Sequence, residues 1–235
     1  MPLYMQLTSA IKAAVADGHL RPGDALPSER ALVEKLGIAR GTARKALQQL
    51  LEEGILVRNQ GSGTFIAPHV RQSLPLLESF SEMATASGGK AQSELVGYLR
   101  RVATQKEQEA LRLSNEKKEV VELMRLRKIN GISVSLQSAI IPAALLDKIT
   151  DLDESLYMYL EKKGAPVIRA SQRFSAVLSD SRIAHHLNIS ELSPLLLVTR
   201  IGFTHNDLPV EYTQTWCLNE FYDFTIELHR EELKE

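Results

Sequence analysis

The sequence predicts an α+β protein, in which a helical N-terminal domain ending in a β-hairpin precedes a domain built on an antiparallel sheet. Two observations support this. Apolar residues recur at helical spacing through most of residues 4–53, whereas β-rich runs bounded by turn residues dominate from residue 94. With 235 residues the chain has room for two domains. We expect them at residues 1–68 and 94–235, joined by a linker at residues 69–93.

Three helices are predicted in the N-terminal domain. Residues 4–17 place apolar side chains on one helical face, and Gly18 marks the end of this helix. The hydroxyl of Ser28 can cap a second, short helix that ends near Gly37. A third helix is predicted from about residue 40 to residue 53. Its inner face carries Ala43, Ala46, Leu47, Leu50 and Leu51.

A hairpin with a glycine-rich tip at residues 59–63 follows the third helix. The outer N-terminal turn of that helix carries Arg40, Thr42, Arg44 and Lys45. A helix N-terminus favours phosphate, and arginine can bind guanine edges through two hydrogen bonds. Helix, turn, helix and basic hairpin in this order form a winged helix-turn-helix, which reads the major groove of DNA.

Four stretches within residues 2–68 resemble the GntR family of bacterial transcription regulators. They are residues 2–7, 18–23, 26–30 and 61–65. The resemblance implies that Arg30, Arg40 and Arg44 touch DNA, with Thr42 and the wing tip beside them. The full set expected at the DNA is Ser28, Arg30, Arg40, Thr42, Arg44, Lys45, Gly61, Gly63 and Thr64. Gly41 and Ala43 depart from the family pattern and leave open which bases are read.

Charge and composition narrow the class of protein. The net charge is −1, with eight Lys and Arg against six Asp and Glu in residues 1–70, so DNA binding must come from a local basic face. The single Cys217 suits a reducing cytoplasm. No stretch is apolar enough to span a bilayer. The adjacent His185 and His186 point in different directions on a helix, so we expect no metal site and no cofactor.

The second domain alternates strands and helices irregularly. Asn130-Gly131 and Asn206-Asp207 each mark a hairpin. Strands are predicted at residues 94–102, 120–128, 132–141, 166–178, 195–204, 209–217 and 222–228, and helices at residues 106–113, 143–149, 156–163 and 181–187. The Gly88-Gly89 pair before this domain is either a surface loop or part of a lid that orders on ligand binding, and both interpretations remain open.

This half resembles the ligand-sensing (UTRA) domain of the HutC subfamily, which shares its fold with chorismate lyase. The matching stretches are residues 124–127, 138–142, 155–157 and 208–212. In relatives that sense phosphorylated amino sugars, the Arg-x-Arg pair and the Ser-x-Tyr pair bind the effector. The resemblance implies the same roles for Arg125, Arg127, Ser155 and Tyr157, with Glu211 as a contact to hydroxyl groups.

The arginine pair is also suited to an anion on chemical grounds. Arg125 and Arg127 lie two apart in a predicted strand and therefore share a face. Paired guanidinium groups offer planar sets of donors that fit phosphate or carboxylate. The alternative is that they form salt bridges with Glu122 or Glu116 on a solvated face of the sheet.

Three positions depart from the sugar-phosphate sensors. Those proteins carry arginine, glutamate and tyrosine where this chain has Ser87, Gln137 and Cys217. We include Gln137 among the effector-binding residues. A phosphosugar is the first expectation for the effector, and a less charged sugar, an amino-acid catabolite or another carboxylate is nearly as well supported.

These observations predict a cytoplasmic, ligand-responsive repressor that binds double-stranded operator DNA as a homodimer, because one winged helix reads only half of a palindrome. In the expected mechanism the effector orders residues 79–92 and changes the spacing of the two DNA-binding heads. Two alternatives remain. One is a lyase-like enzyme with a DNA-binding domain, although the sequence shows no clear acid/base or nucleophile constellation. The other is a DNA-binding protein that does not respond to a ligand.

Overall fold

The computed structural model describes residues 1–59, 63–68, 70–73, 76–116, 118–146 and 155–227. The helices are α1 (Leu3–Ala16), α2 (Glu29–Leu36), α3 (Arg40–Glu52), α4 (Phe80–Ala86), α5 (Gln105–Leu111), α6 (Leu156–Lys162) and α7 (Ser181–Leu187). The strands are β1 (Ala25–Leu26), β2 (Leu56–Asn59), β3 (Gly63–Ile66), β4 (Val70–Ser73), β5 (Ala91–Val102), β6 (Glu119–Ile129), β7 (Ile132–Pro142), β8 (Arg169–Leu178), β9 (Pro194–Phe203), β10 (Pro209–Leu218) and β11 (Tyr222–Thr225). The predicted α+β class is confirmed.

The N-terminal helices form as the sequence predicts. The Ser28 hydroxyl accepts a hydrogen bond from the Ala31 N–H at 3.2 Å, and Gly37 ends α2 in the left-handed conformation with φ of 62°. Apolar faces of α1, α2 and α3 close over the hairpin of β2 and β3. Their shared core contains Ile11, Leu32, Ala43, Leu47, Leu50, Leu56 and Ile66. The two-residue strand β1, which the sequence did not predict, pairs with β3.

The second domain is built on a six-stranded antiparallel sheet in the order β5-β6-β7-β10-β9-β8. Both predicted hairpins are present. Asn130 and Gly131 adopt positive φ values of 50° and 82° in the two-residue turn between β6 and β7. Asp207 has φ of 56° in the turn between β9 and β10. The sheet therefore brings β6, β7, β10 and β9 side by side.

Two predicted elements differ from the structure. The helix expected over residues 143–149 is a 3₁₀ turn at Ala143–Leu145, after which Leu146 is extended and fully buried. Packing of Leu146 into the core overrides the local helical pattern, and residues 147–149 lie outside the described part of the chain. Strand β11, predicted at residues 222–228, ends at Thr225 and pairs in parallel with β4, a partner for which the sequence made no prediction.

The segment expected to be a linker contains two regular elements. Strand β4 pairs with β11, and the N–H of Val70 donates to the carbonyl of Phe221 at 2.6 Å. Helix α4 begins with a capping box between Ser79 and Glu82 and buries its apolar face. Gly89 packs so closely that a Cβ would lie 2.3 Å from Ile129. Residues 79–92 thus have a regular, packed conformation, which differs from a lid that is ordered only by a ligand.

Candidate functional site

A pocket lies between the sheet, α4, the first turn of α6 and β11. All six residues predicted to bind the effector line it, namely Arg125, Arg127, Gln137, Ser155, Tyr157 and Glu211. The pocket is narrow: the volume open to the centre of a water-sized sphere is about 60 Å³, and the wider space of about 700 Å³ includes solvent at its mouth. These residues come from β6, β7, β10 and α6, so the sheet order brings distant parts of the sequence together.

The arginine pair forms the floor of this pocket. Arg125 and Arg127 are 3% and 5% exposed and project from the same face of β6. Gln137 lies opposite Arg125 on β7, and its Oε1 accepts hydrogen bonds from Arg125 Nη2 at 2.8 Å and from Arg127 Nη2. The alternative interpretation, in which the arginine pair forms a salt bridge with Glu122, is wrong. That carboxylate forms a salt bridge with Arg101 at 2.8 Å, because even-numbered residues of β6 face away from the pocket.

Three N–H donors of the pair are buried and have no hydrogen-bond partner among the described residues: Arg125 Nε, Arg125 Nη1 and Arg127 Nε. Burial lowers the pKa of Arg125 to about 10, and the nearby Glu211 and Tyr157 only partly oppose this. Burial, together with the charge of Arg125, also holds the pKa of Arg127 well below its usual value. Burial is the largest cause of both shifts, and the nearby negative groups offset it only in part.

A chain of hydrogen bonds fixes the only carboxylate among the described lining residues. Tyr157 donates its hydroxyl to Glu211 Oε1 at 2.6 Å, and Thr213 donates to Glu211 Oε2 at 3.1 Å. Arg200 in turn donates from Nη1 to the Tyr157 hydroxyl at 3.0 Å. Burial and the adjacent Glu211 raise the pKa of Tyr157 far above its usual range, so its hydroxyl keeps its proton.

Arg200 is the main site residue that the sequence reasoning missed. It lies on β9 and also donates to Gln172 Oε1 at 2.7 Å and to the carbonyl of Glu78 at 3.3 Å. Burial lowers its pKa, but Tyr157 and Glu211 more than compensate, so the pKa lies above the usual value. A charged side chain in the middle of the apolar run of residues 195–203 was the available sequence signal.

Other lining residues support the site. The Ser155 hydroxyl accepts from the Met158 N–H at 3.4 Å as the N-cap of α6. Tyr222 and Phe224 of β11 stack with ring centroids 5.6 Å apart and form an aromatic wall. Cys217 is buried in the lining, and burial raises the pKa of its thiol far above its usual range. These aromatic residues were missed because the sequence did not reveal where β11 pairs.

The predicted DNA-binding surface lies on α2, α3 and the wing. The side chains of Arg30, Arg40 and Arg44 are 89%, 75% and 63% exposed. Glu29 Oε1 lies 2.9 Å from Arg40 Nε and 3.3 Å from Arg44 Nη2, and these arginines lower the pKa of Glu29. Arg30 pairs with Glu34 at 2.9 Å. Two arginines of α3 are thus held side by side on an exposed surface.

The remaining residues predicted to contact DNA differ in their exposure and in their partners. Thr42 is half-buried on the first turn of α3, and the Lys45 ammonium lies 4.0 Å from the centroid of the Tyr4 ring. Gly63 and Thr64 begin β3 at the wing. Ser28 is exposed, but its hydroxyl is occupied by the helix cap. Gly61 lies outside the described residues.

The described ranges contain neither a candidate metal site nor a candidate membrane-spanning helix. Within them, no three His, Cys, Asp or Glu side chains are grouped closely enough to hold a metal ion. His185 and His186 on α7 have ring centroids 5.7 Å apart. None of the helices in this part of the chain has the length and apolar character needed to cross a bilayer.

Both halves of the chain match known protein families. Residues 3–66 match the family described as bacterial regulatory proteins, gntR family, and residues 86–223 match the UTRA domain. The UTRA match alone covers more than half of the chain. The chain belongs to the GntR family, in its UTRA-type HutC subfamily. Both resemblances noted in the sequence are therefore confirmed, and the protein is a ligand-responsive transcriptional regulator.

Individual relatives of this GntR-family regulator span nearly its whole length. The HTH-type transcriptional regulator GgaR of Escherichia coli K12 is 31% identical over 227 residues, which cover 96% of this chain and 91% of GgaR. The mannosyl-D-glycerate transport/metabolism system repressor MngR of the same organism is 31% identical, covering 96% and 95%. The crystal structure of PhnF from Mycobacterium smegmatis superposes with a TM-score of 0.65 at 26% identity, covering 98% and 100%.

Proposed function

We propose that this GntR-family regulator represses transcription from a palindromic operator and is released by a small anionic metabolite, with a phosphorylated amino sugar as the first expectation. The observation that carries the proposal is the buried pair Arg125 and Arg127, which lines the pocket and has three N–H donors without a partner among the described residues. An unsatisfied buried donor costs about 1–3 kcal/mol. An anion in the pocket would remove that cost and supply the missing negative charge.

A relative's name supports an anionic, sugar-derived ligand. MngR is named for mannosyl-D-glycerate, which joins a sugar to a carboxylate. Carboxylate and phosphate oxygens accept the same bidentate hydrogen bonds from arginine. A carboxylate, including an amino-acid catabolite, is therefore the alternative class of effector. The relatives are regulators, and Glu211 is already engaged by two donors, so we infer ligand sensing rather than catalysis.

On the DNA side, α3 is the proposed recognition helix. Arg40 and Arg44 would reach base edges or phosphates, while Arg30, Lys45 and the wing residues Gly61, Gly63 and Thr64 would position the head. Two copies in a cytoplasmic homodimer would read the two halves of the operator. The proposed division is a DNA-binding domain at residues 1–68, a connection at residues 69–93 and an effector and dimerisation domain at residues 94–235.

The route from pocket to DNA head follows the chain. Tyr222 and Phe224 line the pocket, and their strand β11 pairs along its whole length with β4. Strand β4 follows the wing strand β3 after only three intervening residues. An effector that binds one arrangement of β11 and β4 better than another would shift the position of the head.

A thermal-shift screen tests the effector class. Glucosamine 6-phosphate, glucose 6-phosphate, gluconate and glucose are added to the purified protein. A ligand at 100 times its Kd stabilises the native state by about 2.7 kcal/mol, which raises the Tm by several degrees. We expect a shift with at least one anion, loss of that shift in Arg125→Met, and retention in Arg173→Met, which replaces an exposed arginine on β8. A shift with glucose alone, or with no compound, would contradict the proposal.

A further inference from the structure

Arg200 on β9 joins three elements around the pocket through one guanidinium group. Its Nε donates to Gln172 Oε1 on β8 at 2.7 Å, and its Nη1 donates to the Tyr157 hydroxyl on α6 at 3.0 Å. Nη1 also donates, at 3.3 Å, to the carbonyl oxygen of Glu78, the residue before the N-cap of α4. These three acceptors in the described part of the chain are all neutral. The side chain therefore connects β8, α6 and the start of α4.

The Tyr157 hydroxyl is engaged on both sides. It donates its single proton to Glu211 Oε1 at 2.6 Å, and its oxygen accepts from Arg200. The position of the Tyr157 ring therefore depends on both partners. Because Tyr157 lines the pocket, a ligand that displaces its hydroxyl also takes an acceptor away from Arg200.

The peptide group between Glu78 and Ser79 is also held on both sides. Its carbonyl oxygen accepts from Arg200, and its N–H donates to Glu82 Oε2 at 2.7 Å in the capping box of α4. Glu78 lies five residues after Ser73, which ends β4. At this peptide group, the chain that comes from the DNA-binding head thus enters the wall of the pocket.

The hydrogen-bonding chemistry at this position suits arginine in particular. A planar group with several N–H donors can reach acceptors on three different elements at once, whereas an ammonium group is a compact point charge. Packing alone would favour an apolar side chain of similar volume, because removing a cation from water costs free energy. The three contacts of Arg200 therefore indicate a role in fixing the geometry of the pocket wall.

We propose that Arg200 is a positioning residue that couples the Tyr157 side chain to the N-terminus of α4, and thereby couples the pocket to the chain segment that leads to the head. One guanidinium group fixes Tyr157 and Glu78 relative to each other. A movement of Tyr157 on ligand binding therefore changes how firmly the start of α4 is held. The effect on DNA rests on the proposed function, whereas the coupling between Tyr157 and α4 can be measured without a ligand.

Hydrogen–deuterium exchange of the ligand-free full chain tests this coupling. In Arg200→Met, the amides of α4 and α6 should exchange about three- to tenfold faster, because each helix loses a hydrogen bond to a charged group. The amides of β6 and β7 should keep their rates. Tyr157→Phe should accelerate exchange in α6 alone, because Arg200 keeps its contact with Glu78.

Two further variants complete the exchange experiment. Arg173→Met removes an exposed arginine from β8 and should leave both helices unchanged. Arg200→Lys keeps the positive charge but lacks the planar set of donors, so it should also accelerate exchange in α4, and it replaces Arg200→Met if that variant does not fold. Unchanged exchange of α4 in both Arg200 variants, or an equal rise throughout the sheet, would overturn the inference.

Operator binding with and without a probe tests the effect on DNA. Glucosamine 6-phosphate and gluconate are added separately in anisotropy titrations, and calorimetry gives the Kd of each probe. A probe that weakens operator binding by the unmodified protein should change it by less than about twofold when it saturates Arg200→Met, because the start of α4 no longer follows Tyr157. Arg173→Met should keep the full effect.

The outcomes separate this inference from the proposed function. A full effect of the probe on operator binding by Arg200→Met would overturn the inference. Probe binding weakened by more than about tenfold beyond its loss in Tyr157→Phe would make Arg200 a direct ligand contact, and would also overturn it. If neither probe affects operator binding by the unmodified protein, the proposed effector class is contradicted, and the exchange experiment decides the role of Arg200.

Discussion

Replacing Arg44 with alanine removes a side chain that we place at the base edges of the operator. A bidentate contact between arginine and guanine contributes about 1–3 kcal/mol of discrimination. A homodimer on a palindrome makes this contact twice, so the expected loss is about 2–6 kcal/mol. That loss corresponds to operator binding weakened by roughly 30-fold to 20,000-fold.

The structure indicates that this loss would not come from unfolding. The side chain of Arg44 is 63% exposed, and its recorded partner is Glu29 at 3.3 Å. Glu29 keeps its closer contact with Arg40 at 2.9 Å when Arg44 is truncated. Exposed ion pairs contribute little to stability, and alanine is the best helix former. The Tm of Arg44→Ala should therefore stay within about 2 °C of the original value.

Fluorescence anisotropy at fixed salt measures the effect, with a labelled operator selected from random DNA by the unmodified protein. The matched control is Arg173→Ala, which removes an exposed arginine from β8 in the second domain. We expect the control to bind operator as before, and Arg44→Ala to keep its affinity for the effector. Unchanged operator affinity in Arg44→Ala would refute the recognition-helix assignment. An equal loss in Arg173→Ala would show that net charge, rather than a base contact, is measured.

Three further predictions concern stability and reactivity. Arg125→Met should raise the free energy of unfolding of the effector-free protein by about 1–3 kcal/mol, measured by urea unfolding, because it removes a buried cation with two unpaired donors. A lower stability of the variant would contradict the view that these donors destabilise the pocket. Gly23→Ala should lower the free energy of unfolding by at least about 1 kcal/mol more than Gly18→Ala does. Both glycines have positive φ, but only at Gly23 would the new Cβ meet Asn130, at 2.4 Å. Equal losses of stability would show that Asn130 moves aside without cost. Cys217 should react with Ellman's reagent at pH 8 only as fast as the protein unfolds, because burial raises the pKa of the thiol and keeps it protonated. Fast labelling of the native protein would show instead that the thiol is exposed to solvent.

The N-terminal domain could be predicted from sequence because its determinants are local. Ser28 and Gly37 bracket α2 as a cap and a left-handed stop, and each acts within four residues of its own position. The Asn130-Gly131 turn likewise pairs Ile129 with Ile132, but a one-residue register shift between Arg127 and Lys128, which the sequence did not predict, places Gln137 opposite Arg125. Strand periodicity alone predicted that Arg125 and Arg127 project from the same face of the sheet.

What the sequence could not show depends on contacts between distant residues. Strand β11 has the β-rich pattern that predicted it, but its partner β4 lies about 150 residues earlier in the chain. The aromatic wall of Tyr222 and Phe224 was missed for this reason. Arg200 was missed because its role depends on Tyr157, which no periodic pattern places beside it. The 3₁₀ turn after β7 was mistaken for a helix because burial of Leu146 outweighs local propensity.

The turn that follows β6 makes a tight contact with the DNA-binding head. Strand β6 carries Arg125 and Arg127 and leads into the turn residue Asn130. The Asn130 side chain donates to the carbonyl of Pro22 in the head and accepts from the Lys90 N–H at 2.8 Å. Gly23 has no space for a Cβ at this contact, so the backbone of the head lies directly against the Asn130 side chain. A movement of β6 therefore reaches the head within three residues.

The free energy needed to shift the head between two positions can be compared with the free energy that a ligand gains by binding the arginine pair. Moving a two-state equilibrium from 1:99 to 99:1 requires about 5.5 kcal/mol of differential binding. Three buried donors without partners, at about 1–3 kcal/mol each, hold about 3–9 kcal/mol that an anion can recover. A ligand gains this energy only in the arrangement of β6 that lets it meet all three donors. The energy associated with these unpaired donors is thus comparable in total with the differential binding that the proposed release of DNA would require.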